Sequence, residues 1–152
     1  MSDDTSMNVD LTNGEAVLDT LSYEECMERL QSRTIGRLGL TVGYYPQIIP
    51  VNYRMDDFVV VFRTHIGTTL LAAKHANVCF QIDEFNHEDH TGWSVLVRGM
   101  AEDVTDRTRD PITERGRRLD VTPWAPGDKP RIVRIVPAWV SGRILSPHSM
   151  HV

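Results

Sequence analysis

The sequence predicts a mainly β protein, an antiparallel barrel that is closed or partly closed and carries short helices. Three observations lead there. Between Arg37 and Leu145 the chain breaks into six or seven apolar or alternating runs separated by glycine, proline and acidic turns. No regular strand–helix–strand alternation accompanies them, which disfavours a parallel nucleotide-binding sheet. A set of antiparallel strands this size protects its edges best by closing on itself.

A chain of 152 residues is long enough for one domain with a real core. Apolar residues make up 41% and charged residues 24%, the balance of a water-soluble domain. The net charge of −5 argues against a broad nucleic-acid surface. No apolar run approaches the ~20 residues of a membrane helix. The polar, acidic start has no secretory pattern. Cys26 and Cys79 stand far apart with no metal-ligand spacing around them. A reduced, cytoplasmic protein is expected.

The elements follow in order. Eight acids and no lysine or arginine fall in residues 1–28, and residues 1–20 are expected to form a flexible acidic arm. Ser22, with Glu25 three residues on, has the spacing of a capping box and starts a helix. Cys26, Met27 and Leu30 can line one face of it, and Gly36 is expected to end the pattern. A first strand is expected over Arg37–Val42. In the run YYPQIIPVNYRMDDFVVVFRT, Asp56 and Asp57 suit a turn between two further strands. The second of these, Phe58–Phe62, is apolar almost without interruption and is expected to be covered on both faces. GTTLLAAKHAN reads as a short helix. NVCFQIDEF reads as a fourth strand, with Cys79 as a small buried hydrophobe. HEDHTG is a turn. WSVLVRGMAEDVTD is a long strand with a bend or bulge at Gly99. RDPITERGRRLD reads as a surface helix, TPWAPGDKP as a loop, and RIVRIVPAWVSGRIL as one or two final strands.

The chemistry is concentrated where the third strand ends. Arg63 and Thr64 are followed by Gly67, Thr68, Thr69 and a helix start. A guanidinium fork, hydroxyls and helix-start amides can together hold a phosphate, with Lys74 a turn further on. Spacing alone leaves a second reading open, a capped helix with Arg63 in a surface ion pair. The run is not a Walker A loop. Pro50, inside IIPVNYR, implies an edge or bulge with backbone groups beside it available to a planar ligand. Trp93 with Ser94, and Trp139, start strands; they are core residues or stack on a flat ring. The histidines offer no HExxH helix, and HEDH at 87–90 reads as a solvated loop. Asp83 and Glu84 are adjacent in a strand, so they face opposite ways and make a poor acid–base pair.

In consistent order, the runs GRLGL, PQIIPVNYRMDDFVVVFRTHIGTTLLAA, VCFQIDEFNHEDHTGWSVLVRGMAEDV and PWAPGDKPRIVRIVPAWVSGRIL resemble the pyridoxamine 5′-phosphate oxidase-like, FMN-binding split-barrel family, most closely its small actinobacterial-type members. The resemblance covers roughly residues 20–146. It implies a six-stranded antiparallel split β-barrel over residues 21–146 with a short tail at 147–152. It also implies a homodimer with FMN at its interface, or in some branches the deazaflavin F420. Arg63 and Thr64 would then meet the phosphate or ribityl end of the cofactor, completed by Thr68 and Thr69. Pro50, Val51 and Asn52 would run beside the ring, with Val61 and Phe62 on the neighbouring strand. Trp93 and Ser94 would approach from the other barrel face or the partner, and Trp139 from the last strand region.

The family's clamp reads GTKL where this chain reads GTTL. Thr69 replaces a lysine whose charge near a phosphate is worth ~1–3 kcal/mol. The activity implied is an oxidoreductase whose redox chemistry belongs to the cofactor, with no residue here standing out as acid or base and no substrate named. The basic run RGRRLD, residues 115–120, could receive the acidic tail of F420. A protein that carries a flavin or haem without turnover is the alternative.

Overall fold

A computed structural model describes residues 16–64, 76–105 and 131–147. It contains one helix and seven strands in these segments: β1 (Ala16–Thr20), α1 (Tyr23–Ser32), β2 (Ile35–Val42), β3 (Tyr45–Asp56), β4 (Val59–Thr64), β5 (Ala76–Asn86), β6 (Thr91–Asp103) and β7 (Arg131–Pro147). The strands are hydrogen-bonded in the order β1-β7-β4-β3-β2-β5-β6, and β6 returns to β7. All pairings are antiparallel. Six strands therefore close a ring, and β1 lies outside it on the far half of β7. The expected barrel is present.

Period-2 alternation decides what faces inward. Leu38 of β2, Tyr53 of β3, Val60 and Phe62 of β4, Val78, Phe80 and Ile82 of β5, Val95 and Val97 of β6, and Val133 and Ile135 of β7 form one core. Tyr53 and Phe80 meet edge to face at 4.7 Å between ring centroids, the arrangement that aromatic quadrupoles prefer. The inward position of Gly36 lies against the tip of the Phe80 ring. A Cβ there would stand 2.2 Å from the ring's Cζ. Gly36 is therefore a core-packing residue of β2. The helix expected to stop at this glycine ends earlier, at Ser32, with Arg33 in extended conformation as its C-cap.

The capping box at Ser22 and Glu25 forms as its spacing implies. Helix α1 closes one end of the barrel with Cys26 and Leu30 buried and Met27 packed against the core. It sits over Gly142 of β7, where a Cβ would lie 2.7 Å from the Cys26 Sγ. The Tyr53 hydroxyl donates to the Leu30 carbonyl at 2.6 Å. That carbonyl belongs to the last turn of α1, which has no helical partner for it.

Strand β4 is buried on both faces from Val59 to Phe62, as its unbroken apolar run implies. Phe62 and Val60 enter the core, while Val59 and Val61 meet Val104 and Ile132 in a second cluster. Phe58 remains exposed at the turn. The turn falls where Asp56 and Asp57 predict it, with Asp57 at φ 51°. The register of β6 on β7 shifts between Arg98 and Gly99, so that Ala138 of β7 has no partner residue. The bend predicted at Gly99 is this bulge.

Several expectations are corrected. The last five residues of the expected arm, 16–20, pair with Arg143–Pro147 as β1; the rest of the arm lies outside the described residues. The first barrel strand starts at Ile35 rather than Arg37. The final run forms one continuous strand, β7, within the one or two expected. Cys79 is exposed, because Val78 and Phe80 take the inward positions on either side of it. The helices expected over 67–77 and 109–120 and the loop at 122–130 lie outside the described residues, apart from Ala76 and Asn77, which open β5.

Candidate functional site

The outward face of β3 carries Ile48, Pro50, Asn52 and Arg54, because Ile49, Val51, Tyr53 and Met55 pack inward. Val51 therefore offers a ligand on this face its backbone only. Strand β4 joins β3 in register from Tyr53 opposite Phe62 to Asp56 opposite Val59. One step beyond the last pair on each strand stand Asn52 and Arg63, both half-buried and both at outward positions of their strands. Before that step, β3 is paired in register only with β2 among the described residues, with Pro50 opposite Arg37 and Val51 opposite Gly36. A proline is tolerated there because one edge of the strand needs no donor.

Arg63 and Thr64 lie half-buried at the end of β4, opposite Ile132 and Arg131 of β7. A polar cluster fixes that neighbourhood. The Arg131 Nε donates to Asp103 at 2.8 Å, the Thr105 hydroxyl donates to the other Asp103 oxygen at 2.7 Å, and the Ile132 amide donates to the Thr105 oxygen at 2.7 Å. Burial of the Asp103 carboxyl opposes its ionisation. The Thr105 hydroxyl and amide and the Arg131 guanidinium outweigh that and hold it below the ordinary carboxylate value. Thr68 and Thr69, the rest of the expected clamp, lie outside the described residues.

The other predicted residues do not gather here. Phe62 is inside the core and Val61 is covered by Val104 and Ile132, so neither side chain has surface to offer in this chain. Trp93 faces inward beside α1. The Arg29 and Arg33 guanidinium carbons stand 5.2 and 5.4 Å from its ring centroid, and Arg33 is also ion-paired with Glu84. Ser94 is outward, between Asp83 and Arg143 in register. Trp139 is outward beside the bulge, with the Arg98 guanidinium 4.0 Å above its ring. The two tryptophans thus occupy opposite faces of the barrel wall.

A large concavity in the barrel wall was not anticipated. Strand β2 pairs with β5 only from Arg37 to Gly39, opposite Gln81 to Cys79. Beyond Gly39 the β2–β3 hairpin stays paired to its turn at Gly43–Tyr44 while parting from β5. A groove of about 870 Å³ opens in this split. Leu40, Ile48, Val78, Met100, Val136 and Pro137 supply its apolar lining. The outward row that crosses it is Ile48, Gly39, Cys79, Arg98 and Trp139, each opposite the next on neighbouring strands. Its second and third members, Gly39 and Cys79, are the smallest. No local pattern announces this groove, since it depends on where one strand leaves another.

The fold and these faces place the chain among split-barrel proteins. The sequence profile of the family described as Pyridoxamine 5′-phosphate oxidase matches residues 22–144, and the chain belongs to that family. It is 31% identical over 128 residues to the uncharacterized protein Rv0080 of Mycobacterium tuberculosis, covering 80% of this chain and 82% of that one. A solved structure provisionally described as a pyridoxamine 5′-phosphate oxidase from Corynebacterium glutamicum superposes with a TM-score of 0.68 at 35% identity, over 84% of this chain and 92% of that one. The FAD binding protein from Mycobacterium smegmatis superposes with a TM-score of 0.67 at 34% identity, over 84% and 98%.

Proposed function

We propose that this chain is a flavin-dependent oxidoreductase that binds its cofactor on the outside of the β3–β4 corner. One observation carries the reading: the Pro50–Asn52 segment of β3, paired with β2, ends one register step short of the β3–β4 pairing, where Arg63 leaves it on the β4 side. The donor set fits a flavin nucleotide. Arg63, Thr64 and the threonines 68 and 69 would take the phosphate end, since a guanidinium fork and hydroxyls match its oxygens. The backbone of Pro50, Val51 and Asn52 would take the edge of the ring. The flavin would supply hydride transfer, and the protein holds the ring and shapes access to it. The cofactor assignment is FMN. The relationship to a 34% identical FAD binding protein makes FAD the competing flavin, and F420 remains the deazaflavin alternative. A homodimer would cover the ring from the partner's side.

Titration of the purified chain with FMN, FAD and F420, followed by tryptophan fluorescence and visible spectra, tests this reading. FMN is expected to bind most tightly, and Arg63→Ala to weaken it at least tenfold. No binding of any of the three at tens of micromolar would overturn the proposal. Thr69→Lys, which restores the family's cation, is expected to tighten FMN. Unchanged affinity would place that side chain away from the phosphate.

A further inference from the structure

The groove in the barrel split has no role in the reading above. Its lining is apolar, its volume of about 870 Å³ is that of a small-molecule pocket, and among the described residues its mouth holds one charge without an ion-pair partner. Glu102 and Arg134, both on the lining, neutralise each other at 3.0 Å. Arg98 faces the same space with the Trp139 ring behind it. Among the described residues no carboxylate stands within ion-pair distance of Arg98. A guanidinium backed by an aromatic face is held in place and keeps its donors for an anion. The floor is deep because the adjacent row members Gly39 and Cys79 are small. A Cβ added at Gly39 would meet the Cys79 Cβ at 3.6 Å and the Cys79 carbonyl oxygen at 3.8 Å, both ordinary contacts. The space there is vacant and is not required by packing.

We propose that this split binds a small apolar monoanion, an aromatic or aliphatic carboxylate, with its body between the β2–β3 hairpin and β5 and its head on Arg98. Ile48, on the groove, is two residues before Pro50 on the same outward face of β3. Strand geometry puts that step at about 7 Å. The groove therefore runs up to the strip assigned to the flavin ring. Its role as a substrate cleft rests on the flavin reading, whereas its role as a ligand site does not.

Two fluorescent probes test the site: 1-anilinonaphthalene-8-sulfonate and its uncharged counterpart N-phenyl-1-naphthylamine, each titrated with and without saturating FMN. Both are expected to bind at one site per chain, and decanoate is expected to displace them at lower concentration than decanol. Arg98→Gln is expected to weaken the sulfonate about tenfold and leave the uncharged probe unchanged. Gly39→Leu is expected to lose both while unfolding at the wild-type temperature. If that variant folds poorly, Ile48→Glu serves instead, and it is expected to repel the sulfonate more than the neutral probe.

Equal effects of Arg98→Gln on both probes would overturn the proposal. So would wild-type binding by both groove variants, or FMN displacing the probes in proportion to its occupancy. Probe binding that falls as the chain self-associates, with Ile48→Glu monomeric, would assign the groove to a second copy and overturn it too. A chain that binds the probes but no flavin keeps this site and removes the flavin reading. A chain that binds flavin but no probe does the reverse.

Discussion

The two flanks of β2 treat the same backbone in opposite ways. At Gly36 the strand is hydrogen-bonded to β3 and its missing side chain is replaced by the Phe80 ring. Three residues later, at Gly39, β2 leaves β5 and the missing side chain is replaced by open space. The first flank belongs to the end closed by α1, where Cys26, Leu30 and the Tyr53 hydroxyl leave no gap. The second exposes Ile48, Met100, Val136 and Trp139 to solvent. Closed packing of the first kind stabilises the barrel. An exposed apolar patch of the second kind contributes nothing to stability in the single chain and marks a surface meant for a ligand or partner.

The sharpest way to break this contrast is to give both glycines a methyl group. Gly36→Ala drives a Cβ into a ring that is fully buried and held edge-on by Tyr53. Overpacking of this kind costs ~1–3 kcal/mol. For a domain this size each kcal/mol lowers the unfolding temperature by roughly 2–4 °C. Gly39→Ala is expected to be neutral or slightly stabilising, because it reduces the freedom of the unfolded chain at no steric cost. Equal melting temperatures for the two variants would erase the distinction between the flanks.

Next in size is Tyr53→Phe. The hydroxyl that donates to the Leu30 carbonyl is buried, and burial pushes the phenol well above its ordinary pKa. Its loss strands a helix-terminal carbonyl at a cost of ~1–3 kcal/mol. The variant should unfold earlier in urea, with an unchanged slope. Removal of the cap on the same helix, Ser22→Ala, is expected to cost about 1 kcal/mol. Because α1 closes the packed end, both changes should leave probe binding in the split unaltered. Loss of probe binding in either variant would join the two flanks into one cooperative unit.

These residues also show what sequence carries. The capping box, the Asp56–Asp57 turn, the doubly buried β4 and the bend at Gly99 were all legible, because each is a local pattern with a local physical cause. Cys79 was misread because its apolar neighbours suggested burial, while strand alternation turned it outward. Gly36 was misread because a glycine after a helix usually terminates it, and the Phe80 ring that explains it lies 44 positions away in sequence. The β3–β4 corner was half legible: Arg63 and Asn52 could be named, but only the register shows that each lies one step past the same strand pair. Val61 and Phe62 were placed beside the ring by the family resemblance, and packing buries both side chains, which alternation along β4 alone does not reveal. The groove was not legible at all, since it is made by the loss of pairing between two strands remote in sequence.

The smallest expected effect concerns the polar cluster beside Arg63. Asp103 is held below the ordinary aspartate value of 3.8 despite its burial, through the Thr105 hydroxyl and amide and Arg131. A carboxyl depressed in the folded state contributes stability that is complete above its unfolded value and is lost as pH falls through the folded one. The contribution should therefore be whole at neutral pH, begin to fade as pH approaches 3.8 from above, and vanish in stronger acid. Asp103→Asn removes it, so the variant should be less stable than wild type at pH 7, and the gap should narrow as pH drops below 4. Arg131 pairs with Asp103 and lies opposite Thr64 in register, so the same variant removes a carboxylate charge from beside the proposed phosphate end. FMN affinity at pH 7 is then expected to hold or rise even as stability falls. Stability and affinity falling together would show that Asp103 shapes the corner rather than merely balancing its charge.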